Sequence, residues 1–317
     1  MNIDGIEIKP GESKQFTINI ARLPTRTLID IPVYVSRALE PGPTILFLAG
    51  MHGDEINGIE IIRQILREGY TNLSKGNLIC IPILNIYGFI NFSRDVPDGK
   101  DINRSFPGSE RGSLASRVAH TLIKKIIPLI DYGVDFHTGG ASKYNFPQIR
   151  CKFNNEKNLE LAEAFAAPFT INADFRENSL RLEAAELGKS ILVYEGGESL
   201  RLSEEAIREG VDGARRLMYH LGMMPNSPAA RHVTRRIVDT TWLRAESSGI
   251  FHCFVKNGSN VTKGQTLGMI TDPFGFGDFE LDIKATATGH IICVNNVPVI
   301  NQGDALIHIG IEDDKES

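Results

Sequence analysis

The chain has 317 residues, 42% of them hydrophobic, so it can form one large domain with a buried core and a smaller second domain. Its net charge is −5 and its basic residues are dispersed, which argues against a nucleic-acid-binding surface and favours small-molecule partners. The four cysteines are widely separated, the N-terminus is polar and unlike a signal peptide, and no apolar run approaches the roughly 18 residues of a membrane span. We therefore expect a cytoplasmic protein that binds neither nucleic acid nor membrane.

The first two thirds of the chain alternate between strand and helix patterns. Residues 15–38 alternate β-branched and polar positions, which predicts an N-terminal β-hairpin or edge strand. From Thr44, the apolar run TILFLAG is followed by apolar residues at helical spacing that end at Gly69. The alternation continues to a predicted helix at about 203–221. Near-continuous apolar strands separated by helices predict an α/β fold, with a mostly parallel mixed sheet covered by helices on both faces.

The last third has a different pattern. Residues 225–230, PNSPAA, are typical of a linker, so we predict a catalytic domain with N-terminal strands over residues 1–228 and an all-β domain over 229–317. Within the second part, residues 247–270 and 287–310 form a weak internal repeat of short strands and glycine turns. The repeat predicts a small β-sandwich or barrel that resembles the half-motifs of biotinyl and lipoyl carrier domains.

A role as a swinging carrier is not expected for this C-terminal part. The turn that joins the two repeats has Pro273 near its tip, where a carrier domain has its modified lysine. Two roles stay open for the C-terminal part: it could cap the active-site cleft or mediate homo-oligomerisation. The histidines of the alternating strands, among them His308, are predicted to be surface or packing residues.

Polar side chains directly follow three of the apolar runs. His52 and Glu55 follow the first, His137 follows YGVDF, and Glu195 follows SILVY. Ligands of open parallel sheets bind beyond the carboxyl ends of the strands, so these four side chains are expected at one edge. Two histidines and a glutamate are typical of a catalytic zinc site. The alternative is that the first two residues only begin a helix at about Asn57 and that His137 is a loop histidine; the three positions together favour the metal site.

A long polar loop lies between these motifs. Residues 91–109 are rich in Gly, Pro and Asp, and long loops in compact domains are often functional. Arg94 and Arg104 lie in this loop together with Asn103. The two guanidinium groups could bind a substrate carboxylate or a developing oxyanion. Arginines in polar loops are more often simply solvated, so this loop alone decides little.

Four motifs, in the order GMHGDEINGIE, DINRSFPG, DFHTGG and YEGGE, resemble those of the succinylglutamate desuccinylase and aspartoacylase family, which is related to the zinc carboxypeptidases. The resemblance covers roughly residues 40–220, and the family also carries a small C-terminal β domain. It implies a hydrolase that uses one Zn²⁺ per chain to remove the acyl group from a small-molecule N-acyl amino acid.

The resemblance also implies the metal ligands and the general base. His52, Glu55 and His137 match the zinc ligands, and Glu195 matches the carboxylate that takes a proton from the attacking water. Glu198 is the competitor for that role, but it lies beyond two glycines and not directly at the end of the strand.

Four further residues match substrate-binding positions of the family. Asn103 and Arg104 correspond to the pair that holds a substrate carboxylate, and Arg94 to the arginine that polarises the scissile carbonyl. Arg181, in a looser motif, matches another substrate-binding arginine. The segment between Arg94 and Asn103 is longer than in the aspartate-specific members, so succinyl, acetyl and other acyl groups all stay open.

Two other functions stay open. One is a carboxypeptidase-like enzyme that uses the same zinc site in a wider cleft, and the other is a non-catalytic module that binds a metal or a carboxylate. The ion itself could be another divalent metal. Asp135 is expected either to contact one ligand histidine or to turn away from the site.

Overall fold

The computed structural model describes residues 1–22, 26, 28–276 and 279–312. In this part of the chain, no helix is both long and apolar enough to cross a membrane. The described residues form two short 3-10 helices, Ile102–Arg104 and Ile127–Leu129. The α-helices are Ile56–Arg67 (α1), Ile86–Ile90 (α2), Leu114–Lys125 (α3), Glu156–Phe165 (α4), Leu180–Glu186 (α5) and Glu204–His220 (α6).

The strands are Asn2–Ile3 (β1), Ile6–Glu7 (β2), Ser13–Arg22 (β3), Leu28–Arg37 (β4), Glu40–Ala49 (β5), Lys75–Ile81 (β6), Tyr132–Gly139 (β7), Lys143–Cys151 (β8), Phe169–Asn172 (β9), Ser190–Glu198 (β10), Arg235–Arg244 (β11), Gly249–Cys253 (β12), Asn260–Val261 (β13), Thr266–Thr271 (β14), Glu280–Lys284 (β15), Gly289–Asn295 (β16), Val299–Ile300 (β17) and Ala305–Glu312 (β18).

A twelve-stranded sheet, in the order β13-β16-β18-β11-β9-β8-β10-β7-β5-β6-β4-β3, forms the centre of the molecule. Its middle strands β10, β7, β5 and β6 run parallel to one another. The antiparallel pair β3 and β4 at one end is the hairpin that the N-terminal pattern predicts. The α/β class with a mixed sheet is therefore confirmed. The prediction that the sheet is mostly parallel is wrong, because the hairpin at one end and the C-terminal strands at the other end pair antiparallel.

Both faces of the middle strands are buried under helices. On β5, Leu46 and Leu48 belong to the core cluster that contains α3, whereas Ile45 and Phe47 belong to the cluster that contains α1, α4 and α6. Successive side chains of a strand point to opposite faces, so a strand covered on both sides must be apolar throughout. This is why the strand sequences are continuous apolar runs and not alternating patterns.

The C-terminal strands continue the same sheet. β11 pairs parallel to β9, and β16 pairs with β8. A second sheet, β15-β14-β12-β17, shares a separate hydrophobic core with these strands, which includes Leu243, Phe251, Leu267, Ile291 and Ile307. Each predicted repeat contains a long strand, a two-residue strand and another long strand, β12-β13-β14 and β16-β17-β18. Residues 277 and 278, in the turn between the repeats, lie outside the described residues.

Candidate metal centre and the cleft around it

The predicted ligands converge where the middle strands of the sheet end. β5 ends at Ala49, and a tight turn then leads to His52 and to Glu55, the residue before α1. A Cβ on Gly53 in this turn would lie 1.9 Å from the backbone carbonyl carbon of Gly88, so only glycine lets the turn pack against α2. His137 lies on β7, and its neighbour in the parallel register of β10 is Glu195.

Three of these side chains form a compact cluster, which we call the metal cluster: His52, Glu55 and His137. All three are buried. The two Nδ1 atoms lie 2.8 Å from the two different carboxylate oxygens of Glu55. One candidate ligand atom from each residue lies within 4.8 Å of the others. Two imidazole nitrogens and one carboxylate at this spacing are a donor set that fits a divalent ion such as Zn²⁺.

The three groups strongly shift one another's pKa. Burial alone would raise the pKa of Glu55, but the two histidines outweigh it and hold that pKa well below its usual range. Burial alone would lower the pKa of each histidine. The carboxylates of Glu55 and Asp101 instead raise the pKa of His52, and those of Asp135 and Glu55 raise that of His137 far more.

A carboxylate also contacts the outer nitrogen of each histidine. Asp135 Oδ2 lies 2.8 Å from Nε2 of His137, so the structure confirms the first of the two expectations for Asp135. Asp101 Oδ1 lies 3.2 Å from Nε2 of His52. Such contacts fix the ring orientation and the tautomer of a ligand histidine. Sequence reasoning missed Asp101, because in the polar loop it is one of several aspartates with no feature that sets it apart.

Arg94 joins the polar loop to the metal cluster. Its Nη2 donates to Asp101 Oδ2 at 2.7 Å, and its Nη1 donates to Glu55 Oε1 at 3.2 Å. Burial alone would raise the pKa of Asp101, but hydrogen bonds and charge from His52 and Arg94 lower it strongly. The loop is therefore held against the cluster by charge-assisted hydrogen bonds.

Asn103 and Arg104 lie at the wall of the same cleft, where the loop meets α5. Asn103 Oδ1 accepts from the backbone N–H of Leu180 at 3.0 Å. The guanidinium of Arg104 donates only to the carbonyl oxygen of Asn103 among the described residues. Burial lowers the pKa of Arg104.

Arg181 lines the cleft, but carbonyl oxygens occupy its donors. Nη1 donates to the carbonyl of Arg150, and Nη2 donates to those of Ala173 and Asp174. Its guanidinium also lies over the ring of Phe175, and burial lowers its pKa to about 10. These contacts brace the segment that follows β9. A substrate-binding role for Arg181 stays a prediction.

The two candidate bases have different surroundings. Glu195 lines the cleft, and its Oε2 accepts from Asn145 Nδ2 at 2.6 Å. Glu198 is buried, and its carboxylate accepts from Asn296 at 2.6 Å on the C-terminal side of the sheet. Glu198 is not among the residues that line the cleft. Of the two carboxylates, that of Glu195 is therefore the one in the cleft that contains the metal cluster.

The cleft has a volume of about 770 Å³ and extends from the metal cluster across the sheet. Four carboxylates line it, namely Glu55, Asp135, Asp174 and Glu195. Six basic side chains line it, namely Arg94, Arg104, Lys143, Arg150, Arg176 and Arg181. Trp242 and His308 of the C-terminal strands form part of its wall. Sequence reasoning did not place Arg150, Trp242 or His308 in the site, since no local motif marks them.

Known proteins resemble this chain over most of its length. The family model described as the succinylglutamate desuccinylase/aspartoacylase catalytic domain matches residues 41–221. The N-alpha-acetyl-L-2,4-diaminobutyric acid deacetylase of Halomonas elongata is 27% identical over 292 residues, which cover 87% of this chain and 84% of that protein.

Solved structures are also similar to this chain over nearly its whole length. The crystal structure of a succinylglutamate desuccinylase/aspartoacylase from Rhodobacter sphaeroides has a TM-score of 0.87 and 25% identity, and the match covers 98% of this chain and 99% of that one. The ectoine utilization protein EutE of Ruegeria pomeroyi has the same fold, with a TM-score of 0.86, 23% identity and coverage of 98% and 97%. The chain belongs to the succinylglutamate desuccinylase/aspartoacylase family.

Proposed function

We propose that this protein is a zinc-dependent amidohydrolase that removes the acyl group from an N-acyl amino acid. The observation that carries the proposal is the metal cluster, with Glu195 beside it on the neighbouring strand, in a cleft that has more basic than acidic side chains. The family and the relative named as a deacetylase support hydrolysis of an amide bond.

One Zn²⁺ per chain would be held by the Nδ1 atoms of His52 and His137 and by the carboxylate of Glu55. When bound, such an ion supplies a Lewis acid that polarises a carbonyl group and makes nearby water more acidic. Asp101 and Asp135 contact the outer nitrogens of the two histidines and so hold the orientation of both rings.

Glu195 is the general base in this proposal. It takes a proton from the attacking water and later transfers one to the leaving amine. The hydrogen bond from Asn145 orients its carboxylate. Arg94 polarises the scissile carbonyl and stabilises the negative charge that develops on its oxygen. Asn103 and Arg104 bind the carboxylate of the amino acid, for which Arg104 has unused donors.

We also propose the division into a catalytic domain, residues 1–228, and a C-terminal β domain, residues 229–317. The separate hydrophobic core of the C-terminal strands supports this division. Because Trp242 and His308 line the cleft, capping is the role we propose for the β domain. Homo-oligomerisation and a cytoplasmic location stay predictions from the sequence.

The test is amine release by zinc-loaded protein from N-acetyl, N-succinyl and N-formyl amino acids, with Nα-acetyl-2,4-diaminobutyrate and short peptides in the same panel. We expect hydrolysis of N-acyl amino acids, loss of activity with a chelator and recovery when zinc is restored. Cleavage of peptides alone would favour the carboxypeptidase-like alternative. Binding of zinc without hydrolysis of any substrate would favour the non-catalytic module.

A further inference from the structure

We propose that Gly140 determines the size of the acyl group that the cleft accepts. The acyl chain beyond the scissile carbonyl lies in the space that the missing side chain of Gly140 leaves open, next to Arg94 and Glu55. The inference rests on the proposed function, because it specifies the acyl half of the same substrate. It gives a role to a residue that is not a proposed metal ligand, base or carboxylate-binding group.

Gly140 lies beside the metal cluster, directly after β7, and lines the cleft. A Cβ built on it would lie 3.8 Å from Arg94 Nη1 and 3.9 Å from Glu55 Oε1. Apart from its two chain neighbours, no other described residue has a heavy atom within 4 Å of that position. These are ordinary van der Waals distances. A methyl group would therefore fit at position 140 without a clash, and it would occupy volume of the cleft.

The backbone of this turn does not explain the glycine at position 140. Gly140 is not among the glycines with positive φ, the conformation that favours this residue type. The next two residues, Ala141 and Ser142, do have positive φ, of 52° and 60°, and neither of them is glycine. A side chain is thus absent where the backbone φ tolerates one, and present where the backbone favours glycine. What position 140 provides is open space in the cleft.

The preceding glycine shows the opposite case. A Cβ on Gly139 would lie 2.0 Å from the carbonyl oxygen of Lys143, so the fold itself requires a glycine there. The carbonyl of Gly139 accepts from the backbone N–H of Ser199 at 2.9 Å, and that of Gly140 accepts from the N–H of Lys143 at 3.3 Å. These hydrogen bonds hold the turn, so Gly140 presents a fixed surface to the cleft.

The proposed binding mode assigns this surface to the acyl chain. The carbonyl carbon of the scissile amide carries the amine nitrogen and the acyl chain, which point in different directions. The amino-acid half is proposed to bind Asn103 and Arg104, so the acyl chain is the half that remains for the surface of Gly140. Arg94, which polarises the scissile carbonyl in the same proposal, contributes the atom nearest to the missing Cβ.

The experiment compares kcat/KM for substrates that share one amino acid and differ only in the acyl group, which is formyl, acetyl, propionyl or succinyl. The amino acid is the one that wild type hydrolyses fastest. A methyl group at position 140 competes with the acyl chain for volume, and one methylene in a pocket changes selectivity by about 10-fold to 200-fold. We expect Gly140→Ala to lower the ratio of each longer acyl group to formyl by about that factor, and Gly140→Val to lower it further.

Ala173→Val is the matched control, because it adds volume to the same cleft beyond β9, with β8 and β10 between that strand and β7. It should leave the ratios between acyl groups as in wild type, and an equal shift in this variant would overturn the assignment to Gly140. Zinc content should be the same in all variants.

A second substrate series keeps the acetyl group and varies the amino acid from glycine to leucine. Gly140→Ala should leave the ratios within this series unchanged. A loss that grows with the amino acid and not with the acyl chain would show that Gly140 faces the leaving half, and the inference would be wrong. A wild type that hydrolyses formyl substrates alone would also refute it, since the space would then be unused.

Binding of hydroxamates separates the failure of this inference from the failure of the proposed function. Hydroxamates bind zinc through two oxygen atoms and carry an acyl chain, so no hydrolysis is needed. Calorimetry would compare formohydroxamate, acetohydroxamate and propionohydroxamate on zinc-loaded wild type and Gly140→Ala. Affinity that falls more steeply with chain length in the variant supports the inference even if no amide is hydrolysed. The same dependence on chain length in both proteins overturns it, whether or not N-acyl amino acids are hydrolysed.

Discussion

The metal cluster and the pair Arg150 and His308 lie in one cleft, but they differ in how their polar atoms are paired. Both ring nitrogens of His52 and His137 and both oxygens of Glu55 have partners. Arg150 Nε and His308 Nδ1 are buried without a hydrogen-bond partner among the described residues, and the carboxylate of Glu195 lies 3.7 Å from Arg150 Nε. Mutual pairing fixes the orientation of the side chains in the metal cluster, whereas a buried polar atom without a hydrogen-bond partner can still bind another molecule.

The two regions also differ in how the chain builds them. The metal cluster comes from the ends of two adjacent parallel strands and from the turn after one of them. Arg150 and His308 lie on β8 and β18, which are far apart in sequence and are brought into one sheet by β16, the strand that pairs with both. The first region depends on local signals, and the second depends on long-range strand pairing.

The largest expected effect comes from a substitution within the metal cluster. His137→Gln removes one proposed ligand atom and leaves Asp135 and Glu55 without their common partner. We expect the variant to lose most of its zinc and at least about 10³-fold in hydrolysis, since a bound ion contributes several kcal/mol to the transition state. Elemental analysis after zinc loading and initial rates are the measurements. His120→Gln, in α3 and outside the metal cluster, should retain both metal and activity.

The next effect separates the two candidate bases. If Glu195 is the general base, as proposed, Glu195→Gln should lower kcat by about 10²-fold to 10⁴-fold and leave the zinc content intact. Glu198→Gln should change kcat far less, since its carboxylate contacts Asn296 and not the cleft. Rates and zinc content of the two variants are the measurement, and a greater loss of kcat in Glu198→Gln would reverse the assignment.

A smaller effect should follow from removing a side chain that contacts His52 while His52 itself stays in place. Asp101→Asn replaces the carboxylate that contacts His52 Nε2 and Arg94. We expect zinc affinity to fall by about 10-fold to 100-fold, as is usual when such a partner is lost. Competition with a chromogenic chelator measures the affinity. Asp98→Asn, an exposed aspartate of the same loop, is the control, and equal affinities in the two variants would count against a role for Asp101.

The smallest effect concerns the contribution of His308 to the pH dependence of stability. The folded protein holds the pKa of His308 at about 3, below its ordinary value of 6.5. Between these values the unfolded chain binds a proton that the folded chain does not, so the free energy of unfolding falls as pH falls below 6.5.

This part of the pH dependence should be absent in His308→Gln. From pH 7 to pH 5, wild type should lose more stability than the variant, with a difference in slope of at most about 1.4 kcal/mol per pH unit. Urea unfolding at several pH values measures it. His252→Gln, an exposed histidine of the same part of the chain, should follow wild type. Parallel curves for His308→Gln and wild type would contradict the neutral, buried state of His308.

Much of the fold and the metal cluster could be predicted from the sequence. The apolar runs identified the middle strands, because strands buried on both faces must be apolar throughout. Polar residues at the ends of those runs identified His52, Glu55, His137 and Glu195, because parallel strands end at one edge of the sheet. These are local signals, each within a few residues of its strand.

Only the tertiary structure decided which other residues join the site. Asp101 has no feature that separates it from neighbouring aspartates until the loop folds against His52. Arg181 and Arg150 both line the cleft, but a motif marks only Arg181, whose donors bind carbonyl oxygens. His308 reaches the same wall from the far end of the chain. Long-range register and burial decide which side chain faces the cleft, and neither quantity is encoded in a few neighbouring residues.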